Sequence, residues 1–347
     1  MNPLTIRLLS QQLIARQFTT PAQLVAHMGA MQAQDYRMVR WAVAMRMRHV
    51  SALDFKKAFD EGSIIRLHLF RGTWQLVAAE DYRWMLALCA PKAEATIRGW
   101  MKTNGVNIDE EEMSKVRQIL ISTCKHKKSV TKDEFSQALA EQGFTMDSHR
   151  LSYHLRLAEL NGVLCSGCMS PMRTTYSLVE DKVKCLHLPE YDEMLGMLAR
   201  KYFQSHSPAT FEDFVWWSGL GVESCRRGMD ILGQDLQRIH WKGYDFFLYE
   251  SCRTRGFRSG TTLLLPPYDE YLIGYKSREL VLEREYVHCA HSNNGIFYPI
   301  VVHDGRVCGN WNPWGKDTNP NLFYPVDIDF SVVKQWEKFR RMCFGRS

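Results

Sequence analysis

Residues 29–37, GAMQAQDYR, place Gln32 and Gln34 on either side of one small residue, Ala33. A glutamine amide is neither a strong acid nor a strong base, but it offers hydrogen-bond donors and an acceptor. On a helix, residues i and i+2 do not share a face, whereas in an extended segment they do. If the two amides act together, the backbone here is therefore expected to be extended or irregular.

Three roles fit this pair of amides. A glutamine at the start of a recognition helix can contact adenine through two hydrogen bonds, which is ordinary sequence readout. Two amides could instead hold a water molecule in a pocket. They could also simply satisfy the backbone groups of a turn. The adjacent Asp35 could serve as a base, but in an extended segment its side chain points away from both glutamines.

Three segments share a helix-start pattern of Thr, two variable positions, a carboxylate or amide, and a large apolar residue. They begin at Thr20, Thr131 and Thr210. The threonine hydroxyl caps a free backbone N–H, and the residue three positions later completes the cap. Each predicted helix meets a glycine within three turns and is followed by a second amphipathic stretch.

Each helical pair is followed by alternating or β-rich sequence. Glycine-bearing turns predict hairpins within residues 63–77, 162–179 and 236–249. Paired helices followed by a hairpin form the winged-helix arrangement, whose helix–turn–helix part commonly docks on DNA. Aligning the three units places Gln32 and Gln34 at the entrance to the second helix of the first helix–turn–helix. Helical pairs that pack together without nucleic acid are the simpler alternative.

The last hundred residues differ, because prolines bound their apolar runs. Asp304-Gly305 predicts a hairpin turn, so we expect a small antiparallel sheet and then a closing helix near residues 331–342. The predicted fold class is α+β, with three tandem winged-helix units followed by a C-terminal antiparallel β-rich subdomain. The predicted units span residues 1–88, 89–186, 187–255 and 256–347.

The composition is that of an ordinary globular protein, with 347 residues of which 45% are hydrophobic and 24% charged. The N-terminus lacks the long apolar core of a signal peptide and predicts an amphipathic helix. With no apolar run near the ~20 residues that cross a bilayer, we expect a cytoplasmic protein without membrane contact. Of ten scattered cysteines, only Cys165 and Cys168 have metal-type spacing. Reduced thiols, with no metal or cofactor, are therefore expected.

The net charge of +6 permits an anionic partner without requiring one. Two basic segments, residues 37–48 and the loop around 253–258, contain no acidic residue. Their arginines could contact phosphates, and the loop's phenylalanine could wedge into a base stack, although a solvated loop explains the second segment equally well. The candidate DNA contacts are Arg37, Arg40, Arg253, Arg255, Phe257 and Arg258.

Four separated segments resemble the AlkZ/YcaQ-type DNA glycosylases. They are MQAQD (31–35), FRGTWQLVAAEDYRW (70–84), LLPPYDEYLIGYKSR (264–278) and DGRVCGNW (304–311). The resemblance extends from the N-terminus almost to the C-terminus. This family consists of tandem winged-helix proteins, including azinomycin-resistance enzymes that unhook interstrand crosslinks. Its catalytic element is a Q-x-Q or Q-x-D motif in a DNA channel.

The resemblance implies that Gln32 and Gln34 are the catalytic residues of the Q-x-Q element. An alkylated purine is cationic and leaves readily, so the protein mainly has to position a water molecule. The implied activity is that of a monofunctional DNA glycosylase, acting as a monomer on N-alkylated purines or purine interstrand crosslinks in double-stranded DNA. One departure is Gln75, where relatives often carry histidine, and this leaves the substrate range open.

Two other classes of function stay open from the residues alone. A winged-helix transcription regulator without catalytic activity would use the glutamines to contact adenine, usually as a dimer on a two-fold-related site. A scaffold with no DNA role is the other. Three different modules in one chain favour a clamp around DNA over a symmetric dimer.

Overall fold

The computed structural model describes residues 2–184, 188–241 and 243–345, which form helices and four small antiparallel sheets. The helices of these residues are α1 (Pro3–Ser10), α2 (Pro21–Met28), α3 (Val39–Ala44), α4 (Ala52–Asp60), α5 (Ala79–Thr103), α6 (Glu110–Cys124), α7 (Lys132–Glu141), α8 (Ser148–Leu160), α9 (Val179–Lys182), α10 (Tyr191–His206), α11 (Phe211–Ser218), α12 (Val222–Leu232), α13 (Glu270–Ile273), α14 (Val287–Ala290) and α15 (Ser331–Phe344). The strands are β1 (Ala30–Gln32), β2 (Ile64–His68), β3 (Trp74–Ala78), β4 (Val130–Thr131), β5 (Leu164–Ser166), β6 (Thr175–Leu178), β7 (Leu236–Trp241), β8 (Tyr244–Tyr249), β9 (Thr262–Leu265), β10 (Ile300–His303), β11 (Arg306–Asn310) and β12 (Asn321–Leu322).

One order of elements occurs three times along the chain. A helix is followed by a short strand, two more helices and a hairpin in α2-β1-α3-α4-β2-β3 and again in α6-β4-α7-α8-β5-β6. The third occurrence is α10-α11-α12-β7-β8, with a single bridge from Ala209 to Phe247 in place of the short strand. Each time, the short strand or bridge pairs with the second strand of the hairpin. The three predicted hairpins are confirmed.

The glutamines occupy a different place in this repeat from the one the sequence alignment gives. Thr131 and Thr210 cap the second helix of their units and close capping boxes, whereas Thr20 caps α2, the first helix of its unit. A capping pattern marks any helix start and does not identify which helix it begins. Gln32 is therefore the last residue of the short strand β1, and the alignment that put it inside a helix–turn–helix was wrong.

Helix α5 is a long connection that was not predicted from the sequence. It runs without a break from Ala79 to Thr103, so the predicted boundary between residues 88 and 89 falls inside it. The boundary at residues 186 and 187 lies outside the described residues. The boundary at residues 255 and 256 falls in the irregular segment between β8 and β9. No helix in the described ranges, α5 included, is long and apolar enough to span a membrane.

Helix α1 packs against the C-terminal part of the fold. The predicted N-terminal helix is present, and all of its residues are buried, the polar Arg7 and Ser10 included. Leu4 and Leu8 join one hydrophobic cluster with strands of the sheet β12-β11-β10-β9 and with α15. In the same cluster, the rings of Trp41 and Trp336 pack edge to face, 5.4 Å apart. The predicted C-terminal antiparallel sheet and closing helix are present.

A buried ion pair ties the first unit to the C-terminal segment. Arg46, just after α3, donates to the two carboxylate oxygens of Asp269 at 2.7 and 2.9 Å. Its remaining N–H groups are bound by the Ala42 carbonyl and by the backbone and side-chain oxygens of Gln11. Asp269 also accepts the backbone N–H of Tyr271 and so caps α13. Loss of one partner would leave the other charge buried and uncompensated.

We therefore expect Arg46→Met to lower the free energy of unfolding by about 3 to 5 kcal/mol, because Asp269 would keep its charge in the interior without a cation. Chemical denaturation measures this change. Arg173→Met, which removes an exposed partner of Asp133, is the matched control and should change stability far less. Equal losses in the two variants would contradict the role of the buried pair.

Candidate active site

The segment that carries the two glutamines is extended. Gln32 lies opposite Gln75 in the antiparallel pair of β1 and β3. The pairing continues one residue beyond β1, since the Ala33 N–H donates to the Trp74 carbonyl at 2.8 Å. The extended pairing ends at Ala33, and Gln34 lies in the bend that follows. This confirms the expectation of an extended or irregular backbone, and both glutamine side chains lie beside the hairpin residues 73–75.

Two buried charged side chains hold this segment. One binds the backbone N–H of Gln32, and the other binds the backbone carbonyl of Ala33. The Gln32 N–H donates to Glu270 Oε1 at 2.5 Å, and Arg66 Nε donates to the Ala33 carbonyl at 3.0 Å. Both are charge-assisted hydrogen bonds, which are shorter and stronger than neutral ones. Burial lowers the pKa of Arg66 to about 10, so its guanidinium still carries its charge at neutral pH.

Glu270 links the segment to the third repeat. It is 3% exposed, and its Oε2 lies 3.2 Å from His206 Nε2 and accepts the indole N–H of Trp217 at 3.2 Å. These partners belong to α10 and α11, which pack around them in one hydrophobic cluster. The position of Gln32 therefore depends on residues far away in sequence.

The two glutamine side chains differ in exposure. Gln32 is 6% exposed, and its Oε1 accepts a hydrogen bond from Gln75 Nε2 at 2.7 Å, with the Thr73 hydroxyl at 3.4 Å. Gln34 is exposed, and its Oε1 accepts only a long bond of 3.4 Å from the Trp74 N–H. The first amide is thus fixed by the hairpin, and the second reaches solvent beside it.

Asp35 serves the backbone. Its Oδ1 accepts the N–H groups of Arg37 and Met38 at 2.9 and 3.0 Å, just before α3.

Tyr268 of the C-terminal segment has a left-handed backbone with φ of 58°, which is unusual for an aromatic residue. Burial, and secondarily the negative charge of Asp35, raise the pKa of Tyr268.

The two candidate DNA-contact arginines of the first basic segment differ in accessibility. Arg37 is partly exposed, and its guanidinium stacks 4.1 Å from the ring centroid of Trp314. Arg40 is 4% exposed and donates to the carbonyls of Ser170 and Pro171. Its guanidinium links the first and second repeats, so it is unavailable to a phosphate, and the structure does not support the expected DNA contact at Arg40.

The second basic segment lies between β8 and β9. Arg253, Arg255 and Arg258 are exposed, and Arg253 donates to the Ala15 carbonyl at 3.3 Å. Phe257 is partly buried against the hydrophobic cluster of α1 and the C-terminal sheet. Within the described residues, no hydrogen bond or ion pair joins this loop to the glutamines.

Metal-binding geometry is absent from the part of the chain that the structure describes. No three or more His, Cys, Asp or Glu side chains come together there to hold an ion. Cys165 is buried, Cys168 is partly exposed, and neither forms a disulfide. The side-chain oxygens of Gln32 and Gln34 accept their hydrogen bonds from amide, hydroxyl and backbone groups of the protein.

Sequence reasoning missed Glu270 and Arg66 as residues of this site. A usable signal for Glu270 was present, because two adjacent acids, Asp269-Glu270, stand inside the apolar run LLPPYDEYLIGY. Charges in a buried run require partners. For Arg66 the signal was its place in the strand sequence IIRLH, whose residues are all buried. Neither signal indicated which partner each charge would find.

The model of the DNA glycosylase AlkZ-like family matches residues 25–322 of this chain. The chain belongs to the AlkZ-like family of DNA glycosylases. Among curated proteins, this AlkZ-like chain is 26% identical to an interstrand DNA cross-link repair glycosylase of Streptomyces sahachiroi, over 85% of this chain and 84% of that one. Among solved structures, it is similar to the Streptomyces sahachiroi DNA glycosylase AlkZ, with a TM-score of 0.76 and 21% identity over 98% of this chain and 95% of that one.

These comparisons confirm the family resemblance drawn from the four sequence segments. The family model covers most of the chain, including the Q-x-Q segment and the Asp269-Glu270 pair. They support the enzyme class of a DNA glycosylase, which hydrolyses N-glycosidic bonds, and give no support to a transcription regulator.

In this AlkZ-like protein, we expect Glu270→Gln to reduce base release from alkylated DNA about 100-fold, because an amide cannot accept all the donors that converge on Glu270 and Gln32 would shift. DNA affinity should change little, since Glu270 is buried. Single-turnover kinetics and a binding titration measure the two effects. Glu285→Gln, at an exposed position, is the control. Full activity of the Glu270 variant would contradict the anchoring role.

Proposed function

We propose that this AlkZ-like protein hydrolyses the N-glycosidic bond of cationic N-alkylated purines, or of purine interstrand crosslinks, in double-stranded DNA, with Gln32 and Gln34 positioning the nucleophilic water. The observation that supports this most strongly is the extended segment of residues 32–34, fixed through its backbone by Glu270 and Arg66. A reactive geometry needs this kind of rigid support. The similarity to an interstrand DNA cross-link repair glycosylase supports the crosslink as a substrate class.

Neutral amides suffice for this chemistry because the substrate carries its own charge. An N-alkylated purine is cationic, so its departure from the sugar relieves that charge and needs little protonation. The sugar develops oxocarbenium character, and the protein mainly orients a weak nucleophile, water. The protein hydrogen bonds to Gln32 and Gln34 in the described residues involve no lysine, so we propose hydrolysis without a Schiff base.

We interpret the three repeats as winged helices arranged as a clamp, not as three sequence readers. In the second repeat, α8 packs against α5 and β2, and most of its residues are buried. At this contact His68 of β2 binds Glu159 of α8. A helix covered in this way cannot enter a major groove, which removes one of the recognition helices that a regulator would use.

For DNA contact we propose the exposed arginines of the loop, Arg253, Arg255 and Arg258, together with Arg37. A mobile guanidinium on an open surface can neutralise a phosphate and release counterions. We leave out Arg40 because it is buried and paired. We also leave out a wedge role for Phe257, since its ring already packs partly into the protein.

The glycosylase proposal is tested on a duplex that contains 7-methylguanine and on one with a nitrogen-mustard crosslink. We expect wild-type protein to release base and leave an abasic site without strand cleavage by lyase action. The variant Gln32→Ala/Gln34→Ala should lose this product while retaining DNA binding, because neither amide supplies phosphate contacts. A gel assay after alkaline cleavage measures the product. Wild-type protein that leaves both lesions intact would contradict the proposal.

The DNA-contact proposal is tested by the variant Arg253→Gln/Arg255→Gln/Arg258→Gln. We expect weaker binding of any duplex, and a slope of log affinity against log salt reduced by up to about three units. Arg98→Gln, an exposed arginine paired with Glu94 on α5, should leave the slope unchanged. An unaltered slope in the loop variant would exclude these arginines as phosphate contacts.

A further inference from the structure

The hydrogen bonds of residues 70–75 fix which end of the Gln32 amide faces the protein. The Thr73 hydroxyl lies 2.9 Å from the Phe70 carbonyl oxygen, which can only accept. Gln75 Nε2 lies 3.0 Å from that hydroxyl oxygen and 2.7 Å from Gln32 Oε1. The chain of donors therefore runs from Gln75 to both Thr73 and Gln32, and from Thr73 to Phe70.

The reverse orientation of these amides is disfavoured for two reasons. If Gln75 presented its oxygen, the Thr73 hydroxyl would have to donate to it, and two oxygens would lie 2.9 Å apart at Phe70 with no proton between them. Gln75 is also 1% exposed. Turning the Gln75 amide alone would place its oxygen against Gln32 Oε1, with no proton between the two oxygens.

This orientation decides which end of the Gln32 amide is free to bind a substrate. Its Oε1 is already bound by Gln75, and no hydrogen-bond acceptor binds its Nε2 within the described residues. Gln34 has the opposite character, because its Oε1 carries only one long bond, from the Trp74 N–H. One amide is thus arranged to donate and the other keeps a free lone pair to accept.

We propose that Gln75 is a positioning residue that makes Gln32 a hydrogen-bond donor to the nucleophilic water, while Gln34 accepts a hydrogen bond from the same water. This rests on the proposed glycosylase function and refines it, because the two glutamines then have different roles. A water held by one donor and one acceptor keeps a single lone pair to direct at the sugar carbon.

The step balances as a simple displacement. A lone pair of the water oxygen forms the new bond to C1′, and the electron pair of the C1′–N9 bond leaves with the purine. A cationic 7-alkylpurine thereby departs as the neutral base. The proton that the water loses passes from the side of Gln34 to solvent. No oxidant, reductant or covalent enzyme intermediate is required.

The decisive variant is Gln32→Glu, assayed on 7-methylguanine duplex from pH 5.5 to 9. Its carboxylate can still accept from Gln75 but offers only acceptors to the water. We expect base release at pH 8 to fall about 100-fold, as for removal of one catalytic donor. Activity should recover at low pH, when the buried carboxyl takes up a proton and becomes a donor. If Gln32 acted as an acceptor, the carboxylate would keep or raise activity at pH 8.

Gln75→Glu is a second, independent variant for the case that the first does not fold. Its carboxylate accepts from Gln32, so it turns the Gln32 amide and presents the wrong end to the water. We expect the same loss at pH 8 and the same recovery at low pH, with lesion-DNA affinity close to wild type and a melting temperature that rises as the buried carboxyl takes up its proton. Gln137→Glu, at an exposed site on α7, controls for the added charge.

Two outcomes overturn the inference: activity of either variant equal to wild type at pH 8, or a loss that does not change with pH. Both are distinct from failure of the proposed function, in which wild-type protein itself releases no base. A pH-dependent recovery in both variants, and none in the control, would support the donor role of Gln32.

Discussion

Two adjacent buried carboxylates, Asp269 and Glu270, hold the separate parts of this protein together. A carboxylate placed in a protein interior costs free energy unless cations and hydrogen-bond donors surround it. Asp269 binds Arg46 of the first repeat. Glu270 binds the backbone N–H of Gln32 and two side chains of the third repeat. The native structure satisfies both acids only when these segments meet, so the position of the glutamine segment depends on the whole fold.

The same arrangement explains how a site of neutral side chains can be rigid. The charged groups, Glu270 and Arg66, bind the backbone on either side of one peptide and face the interior. The groups that reach towards solvent are amides, which neither repel a cationic purine nor compete with it for a counterion. The charged groups hold the backbone in place, and in the proposed reaction the neutral amides provide the hydrogen bonds. Such a division suits a leaving group that already carries positive charge.

Local patterns were sufficient for much of the fold. The hairpins, the cap at Thr131 and the turn at Asp304-Gly305 depend on neighbouring residues alone, and the structure contains all of them. The long helix α5 was missed. Helix α5 buries one stripe of residues at helical spacing, which includes Met85, Cys89 and Ile97, so its period was present in the sequence and was overlooked.

By itself, the sequence determined the family and the small antiparallel sheets, because motif spacing and local periodicity carry that information. The tertiary structure decided which charged side chains are exposed and which are buried in pairs. It removed Arg40 from the surface, left the loop arginines exposed, and paired Glu270 with Gln32 across 238 positions. It also decided which end of the Gln32 amide is free, since that depends on a hydrogen-bond partner in another strand. Burial and long-range pairing are properties of the folded chain, and the order of residues does not specify them locally.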